Sequence, residues 1–231
     1  MSRKNYKTIG MVVAMDKEIL PFLQKVGTSK KTYEIGGYII FYYKIKGKKV
    51  YLIKSGIGEI YASAATSILI NTFKCDLILN FGVCGSLVDD ISVLDAVVVS
   101  GVVHYDFDLS EIDDTKVGQY PSYDSPVITT NASLVEMATK INKNLKGVIC
   151  ASADKFVSKE KVKKALNKDF DAQVCDMECA GILLTCNNAK IPCLIMKAVS
   201  DGKGGADEFN KRVKEASKVY IDTVSEILGE L

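Results

Sequence analysis

The sequence has few of the residues that metal centres and disulfide frameworks require. It holds one histidine among 231 residues, and its seven cysteines are an odd number with no Cys-x-x-Cys pair. Zinc sites need clusters of cysteine and histidine at short spacings, and disulfide frameworks need paired cysteines. We therefore expect neither a metal ion nor a cofactor, and free thiols fit a reducing compartment.

The chain also has no large excess of charge of one sign. The chain has 30 Lys and Arg residues against 28 Asp and Glu residues, a net charge of +2, and both signs are spread along its length. Nucleic-acid backbones bind clustered basic side chains, so nucleic acid is not an expected partner.

Long hydrophobic runs are missing as well. The apolar stretches at 95–103 and 191–199 fall short of the roughly 18 residues that span a bilayer. The polar start of the chain does not resemble a signal peptide. We expect a cytoplasmic protein without a membrane partner.

Hydrophobic residues make up 48% of the chain, enough for one large core, and nothing requires a second domain. β-branched apolar runs predict strands, and apolar stripes at helical spacing predict the helices between them. The predicted strands are 8–14, 38–43, 49–54, 75–81, 94–103, 147–151 and 191–199, and the predicted helices are 15–26, 60–73, 131–143, 158–166, 177–186 and 207–228. This alternation predicts one α/β domain over residues 1–231, a three-layer sandwich around a central mixed, mostly parallel sheet.

Three carboxylates stand at the ends or edges of apolar runs: Glu18, Glu178 and Asp201. Side chains at the ends of such strands converge on the crevice where open α/β sheets bind ligands. Glu178 opens a predicted helix, where an acid can also complement the helix dipole. Asp201 ends an apolar strand ahead of a glycine-rich loop, which favours a functional role over a solvated surface position.

Two glycine-containing segments and one long loop complete the candidate site. Ser55-Gly56-Ile57-Gly58 precedes a helix and either cradles an anion or makes a tight turn, and Glu59 after it opposes an anion. Residues 82–85 are expected to follow a strand that ends at Phe81, and to present amides or turn the chain. Residues 105–126 are acidic and aperiodic, which is typical of a binding loop, a lid or a mobile segment.

Five motifs, taken in this order, resemble the nucleoside phosphorylase and nucleosidase superfamily, and within it the 5'-methylthioadenosine/S-adenosylhomocysteine nucleosidases. They are Ala14-Met15-x-x-Glu18, Ser55-Gly56-Ile57-Gly58, Asn80-Phe81-Gly82-Val83-Cys84-Gly85, Asp176-Met177-Glu178 and Ser200-Asp201. The likeness implies a nucleoside phosphorylase-like fold, a homodimer and a role in methionine salvage and nucleoside catabolism. It also implies hydrolysis of the N-glycosidic bond of 5'-substituted adenine nucleosides, with release of adenine.

The resemblance assigns a role to each of the three acids. Glu18 positions and activates the water, Glu178 binds the ribose hydroxyls, and Asp201 protonates purine N7. These roles suit the chemistry, because cleavage develops positive charge on the sugar and negative charge on the base.

The resemblance also implies a set of substrate contacts around these acids. Within one chain they are Met15, Ile57, Gly85, Phe156, Val157, Met177, Lys197 and Ser200. The loop at 105–126 resembles the segment that a partner subunit contributes to the pocket of the 5' tail. Its candidate apolar contacts are Leu109, Ile112, Tyr120 and Pro121.

Two positions depart from the family pattern and leave alternatives open. Nucleosidases commonly carry serine where Val83 stands and arginine where Lys197 stands, and lysine lacks the planar fork of arginine. One alternative is a non-catalytic nucleoside-binding protein, although retention of all three acids argues against it. Another is a phosphate-dependent purine nucleoside phosphorylase, but such enzymes hold phosphate with arginines at the glycine loops, and this chain has only Arg3 and Arg212.

Overall fold

Ten strands form one mixed sheet in the computed structural model, which describes residues 5–231. The strands are β1 (Thr8–Val13), β2 (Lys31–Ile35), β3 (Tyr38–Ile45), β4 (Lys48–Lys54), β5 (Leu77–Ser86), β6 (Ala96–His104), β7 (Ile128–Thr129), β8 (Lys146–Ser152), β9 (Val174–Asp176) and β10 (Cys193–Asp201). The helices are α1 (Asp16–Val26), α2 (Glu59–Phe73), α3 (Ala132–Ile141), α4 (Glu160–Phe170), α5 (Cys179–Asn188), α6 (Gly205–Val219) and α7 (Ile221–Glu230).

The centre of the sheet is parallel. Strand β1 lies between β4 and β5 and runs parallel to both, and β5 runs parallel to β10 on its other side. Every residue of β5 and of β10 is buried, because helices cover both faces of these strands. At the outer edge, β3 and β2 continue the sheet in antiparallel fashion.

Strand β5 changes neighbours along one of its edges. It pairs with β1 as far as Asn80. Further along the strand, Gly85 and Ser86 pair with β9 instead. Strands β5, β10, β6, β8 and β9 thereby close into a ring. The interval between Asn80 and Gly85 lies at the carboxyl ends of the strands, where α/β sheets bind ligands. We call this region the crevice.

Two large apolar cores separate the sheet from its helix layers, and a smaller third cluster includes Leu166 of α4. Helices α1, α3, α6 and α7 cover one face, with Phe22, Phe81 and Tyr220 among the buried side chains. Helices α2 and α5 cover the other face. The predicted three-layer fold with a central mixed sheet is confirmed.

Three local predictions were wrong. Residues 82–85 lie inside β5 instead of following it, because glycine in a buried strand looks like a turn in sequence. The single helix expected at 207–228 is two helices divided at Tyr220, whose ring packs against Phe81 at 5.3 Å between centroids. Strands β2, β7 and β9 were missed, and the last two are only two and three residues long.

The long segment between β6 and β7 holds no helix or strand, as its aperiodic sequence predicts. Across the described range, 5–231, we find no helix that combines the length and the apolar character needed to cross a membrane.

Helix α1 offers a matched test of the core. Phe22 is fully buried and its ring lies 5.5 Å from that of Phe81, whereas Leu20 on the same helix is 49% exposed. Phe22→Ala is expected to lower the free energy of unfolding by about 3–5 kcal/mol, since the cavity adds to the lost transfer free energy. Leu20→Ala is expected to cost under about 1 kcal/mol. Urea denaturation measures both, and equal losses would contradict this assignment of the core.

Candidate active site

Glu18 fills the interval where β5 changes neighbours. It lies in the first turn of α1, and its Oε2 accepts the Met15 N–H at 2.8 Å. Its Oε1 accepts the Val83 N–H at 2.7 Å, inside the interval between β1 and β9. A buried N–H without a partner is costly, so the carboxylate completes the bonding of β5 and is fixed at the crevice.

Gly82 makes room for this carboxylate. A Cβ at position 82 would stand 2.6 Å from Glu18 Oε1 and 3.5 Å from Lys197 Nζ. Burial raises the pKa of Glu18 above its usual value, while Lys197 and the Val83 amide oppose that rise. A carboxylate with a raised pKa is a stronger base, which suits the activation of water.

Glu178 reaches the same crevice from the start of α5. It makes no capping bond to its own helix, and its Oε1 accepts the Gly58 N–H at 3.0 Å. Burial, reinforced by Asp176, raises its pKa to about 8. Lys197 and Glu18 also act on this pKa, in opposite directions. The four charged groups therefore belong to one electrostatic cluster.

The glycines at 55–58 bind protein carboxylates and not a free anion. The Gly58 N–H donates to Glu178, and the next N–H, that of Glu59, donates to Asp154 Oδ1 at 2.7 Å. Both amides at the start of α2 are thus occupied. This arrangement favours the tight-turn interpretation over a phosphate cradle.

Asp201 ends β10 at a bulge. The pairing with β5 matches Val199 to Cys84 and Asp201 to Gly85, so Ser200 is the extra residue. Bulges of this kind redirect side chains and are common beside active sites. The Ser200 hydroxyl lies 2.9 Å from Asp201 Oδ1, and a Cβ at Gly85 would stand 3.1 Å from Asp201 Oδ2.

Asp201 is 2% exposed, and burial raises its pKa above the ordinary value of an aspartate. The Ser200 hydroxyl and Lys163 limit that rise. Glu18 lies at the level of Gly82 and Asp201 at the level of Gly85, about 10 Å apart along β5 at roughly 3.3 Å per residue. An acid and a base at this spacing can serve opposite ends of one nucleoside.

Lys197 is the buried cation of the cluster. Its Nζ lies 2.8 Å from Asp176 Oδ2, and both side chains are almost fully buried. Burial opposes the charge of Lys197, but Asp176, Cys179, Glu178 and Glu18 together outweigh it and hold the lysine pKa well above its usual value. In return, Lys197 holds the pKa of Asp176 below its usual value despite burial.

Cys150, Asp176 and Cys179 lie close enough together to hold a metal ion. However, the Lys197 ammonium already neutralises Asp176. Burial raises the pKa of Cys179 to about 12 and that of Cys150 well above its usual value. The buried cation beside Asp176 in this structure is the Lys197 ammonium.

Glu59 is a buried acid that the sequence did not predict as part of the site. Ser152 Oγ contacts Glu59 Oε1 and also lies 2.6 Å from Asp176 Oδ1. One hydroxyl hydrogen can serve only one of these oxygens, so one of the two acids carries a proton. Burial and the charge of Asp176 raise the pKa of Glu59 to about 7, which assigns the proton to Glu59.

The remaining predicted contacts lie around these acids. Val157 is buried in one apolar cluster with Cys175, whose sulfur lies beside Gly85. Phe156 is 44% exposed and packs edge-on against Phe209. Ile57 is 52% exposed, and Met15 and Met177 are half-buried. Contact of these residues with a substrate stays a prediction.

The loop at 105–126 is anchored in its own chain by Tyr120. The Tyr120 hydroxyl lies 2.7 Å from His104 Nδ1, and its ring stacks on Phe107 at 3.8 Å between centroids. Leu109 is half-buried, whereas Pro121 is exposed and Ile112 is 82% exposed. A contribution of this loop to a neighbouring site stays a prediction.

The shared proton of Glu59 predicts a dependence of stability on pH. Its pKa rises from 4.5 to about 7 on folding, so the folded state binds the proton more tightly than the unfolded chain. The stabilisation is complete below pH 4.5 and is lost as pH rises through 7, by on the order of 3 kcal/mol. Glu59→Gln is expected to remove this contribution to the change in the free energy of unfolding between pH 5 and pH 8.

Urea denaturation at the two pH values measures that change. Glu226→Gln, at an exposed position of α7, is the control and is expected to keep the wild-type difference. An unchanged difference in Glu59→Gln would show that the proton does not reside on Glu59.

Comparisons with known proteins find relatives over almost the whole chain. The model of the Phosphorylase superfamily matches residues 8–231. The 5'-methylthioadenosine/S-adenosylhomocysteine nucleosidase of Staphylococcus carnosus is 32% identical, with coverage of 96% of this chain and 100% of the relative. The aminodeoxyfutalosine nucleosidase of Helicobacter pylori is 30% identical, with coverage of 94% and 97%.

Solved structures show the same likeness. A crystal structure of the Helicobacter pylori 5'-methylthioadenosine/S-adenosylhomocysteine nucleosidase with a bound aminopyrrolopyrimidine compound superposes with a TM-score of 0.93 at 28% identity, covering 99% of this chain and 100% of that one. The nucleosidase of Colwellia psychrerythraea, solved in complex with adenine, gives a TM-score of 0.89 at 28% identity, covering 98% and 96%. Together with the match across residues 8–231, these similarities establish that the chain belongs to the phosphorylase superfamily.

Proposed function

We propose that the protein hydrolyses the N-glycosidic bond of 5'-substituted adenine nucleosides and releases adenine. 5'-Methylthioadenosine and S-adenosylhomocysteine are the proposed substrates. The observation that carries the proposal is the convergence of three buried acids, Glu18, Glu178 and Asp201, on the crevice beside β5. Relatives named for this reaction support it.

The acids Glu18 and Asp201 suit the two proton transfers of the reaction. Glu18, with a raised pKa, takes a proton from the water that attacks the sugar. Asp201, also with a raised pKa, gives a proton to N7 of the departing purine. Glu178, with a pKa of about 8, hydrogen-bonds the ribose hydroxyls.

Several contacts favour water over phosphate as the nucleophile. The amides of Gly58, Glu59 and Val83 are occupied by carboxylates. Lys197 is paired with Asp176, and Lys54 with Asp16 at 2.8 Å. Among the described residues, 5–231, Arg212 is the one arginine, and it is exposed and paired with Glu215. Arg3 lies outside the described residues.

The two departures from the family pattern are compatible with this reaction. At position 83 the contact with Glu18 comes from the backbone N–H, so it does not depend on a serine side chain. At position 197 the lysine supplies the positive charge through a short ion pair with Asp176.

We also propose a homodimer that works in the cytoplasm, in methionine salvage and nucleoside catabolism. Ile57, Ile60 and Tyr61 form an apolar surface at the start of α2, each more than half exposed. Exposed apolar patches of this kind mark interaction sites. All seven cysteines are free and buried, which fits a reducing compartment.

A chromatographic screen for released base tests the activity. The nucleosides are 5'-methylthioadenosine, S-adenosylhomocysteine, 5'-deoxyadenosine and aminodeoxyfutalosine, the last because relatives are named for it. Free adenine and a free sugar are expected, at rates that do not depend on added phosphate. A sugar 1-phosphate would identify a phosphorylase, and tight binding without free base would identify a binding protein.

The same assay connects activity to the acids. Glu18→Gln and Asp201→Asn are each expected to lower kcat at least about 100-fold, because proton transfer contributes about 100- to 10,000-fold. Glu178→Gln is expected to lower kcat/KM, because it changes the hydrogen bonds to the ribose hydroxyls. Glu136→Gln, on the exposed face of α3, is the control and should retain wild-type activity. Full activity in Asp201→Asn would exclude its role as the acid.

Analytical ultracentrifugation tests the dimer. The wild-type chain is expected to sediment at twice the 25.2 kDa of the monomer. Ile60→Lys places a charge where the side chain is 77% exposed and is expected to shift the equilibrium towards monomer and raise KM. Val162→Lys, on α4 at 37% exposure, is the control. A wild-type monomer at micromolar concentration would contradict the dimer.

A further inference from the structure

Helix α4 buries a lysine and exposes a valine. Lys163 is 2% exposed, whereas its neighbour Val162 is 37% exposed. Charged side chains are almost never fully buried unless they are paired. The helix therefore places an ammonium group in the interior and leaves an apolar side chain partly in solvent.

The ammonium points at the carboxyl end of β10. Lys163 Nζ donates to the Gly202 carbonyl oxygen at 2.6 Å and lies 3.5 Å from Asp201 Oδ2. The first contact fixes the position of the charge, and the second places it beside the oxygen that Ser200 does not contact. Asp201 is thus the ion-pair partner of a buried cation.

We propose that Lys163 is a positioning residue that sets the acidity of Asp201 by stabilising the carboxylate left after the proton has moved to the purine. This inference rests on the proposed function. The motifs at the acids themselves do not include Lys163, which lies in a lysine-rich segment that looks like a solvated helix face in sequence.

The reaction balances with this charge in place. The bond from C1' to the purine nitrogen breaks and its electron pair moves into the purine ring, while N7 takes the proton of Asp201. The water oxygen bonds to C1' and gives a proton to Glu18. One water is consumed, and the proton on Glu18 restores Asp201 through solvent.

Other groups around Asp201 define its electrostatics. Glu208 on α6 accepts the Gly202 N–H at 2.7 Å and opposes the ionisation of Asp201. Burial raises the pKa of Cys175 to about 12 and that of Cys84 well above its usual value, so both thiols are neutral. Lys163 is therefore the positive charge that counters Glu208 and burial.

The consequences for rate run in two directions. A nearby positive charge makes the carboxyl harder to protonate, so it lowers the pH at which activity falls. It also stabilises the carboxylate that forms during proton transfer, so it raises the maximal rate. If Lys163 had only a structural role, its replacement would change neither the position of the alkaline limb nor the acidity of Asp201.

Lys163→Gln is the main variant, because glutamine keeps a donor for the Gly202 carbonyl and removes the charge. We expect the alkaline limb of kcat/KM to move up by about one pH unit or more and kcat to fall about tenfold. Lys163→Arg is expected to restore the wild-type limb. Lys161→Met, at an exposed position of the same helix, is the control that should leave both unchanged.

A titration independent of activity completes the test. Carbon-13 NMR of labelled aspartate carboxyls, with the Asp201 signal identified by its loss in Asp201→Asn, measures the pKa of Asp201 directly. We expect that pKa to rise by about one unit in Lys163→Gln, and an unchanged value would overturn the proposal. If the wild-type protein releases no base, the proposed function fails, while the titration still decides the role of Lys163.

Discussion

The ion pair between Lys197 and Asp176 is the interaction on which the site depends. Glu18, Glu178 and Asp176 are all buried within reach of one another, and like charges in a low-dielectric interior cannot all ionise without compensation. Lys197, 2.8 Å from Asp176, supplies that compensation. Removing one partner of such a pair leaves an unpaired buried charge, which typically costs about 3–5 kcal/mol.

The fold and the site share the same hydrogen bonds. Where β5 loses β1 and has not yet reached β9, its Val83 N–H is bound by Glu18. Where α2 begins, its Gly58 N–H is bound by Glu178. One N–H group at the break in the sheet and another at the start of α2 thereby hold the two acids in place. The crevice is accordingly a feature of the sheet topology, and not an addition to its surface.

The fold class and the three acids could be predicted from the sequence, because buried strands and acids at their ends have a clear pattern. The surrounding network could not. Glu59 follows a glycine turn and looks like a solvated first helical residue, and Lys163 sits among other lysines. Their burial depends on contacts with Ser152 and Asp201, 93 and 38 residues away. Gly82 was mistaken for a turn because a strand glycine gives no sign of the side chain that packs over it.

The Val83 amide has a consequence for how this site tolerates change. Since the grip on Glu18 comes from the main chain, any residue that packs in that core position and keeps the path of β5 preserves it. Proline is the exception, because it has no N–H to donate. Position 82 is the reverse case, since even one methyl group there would collide with the carboxylate. Adjacent residues of one strand thus differ sharply in their freedom to vary during evolution.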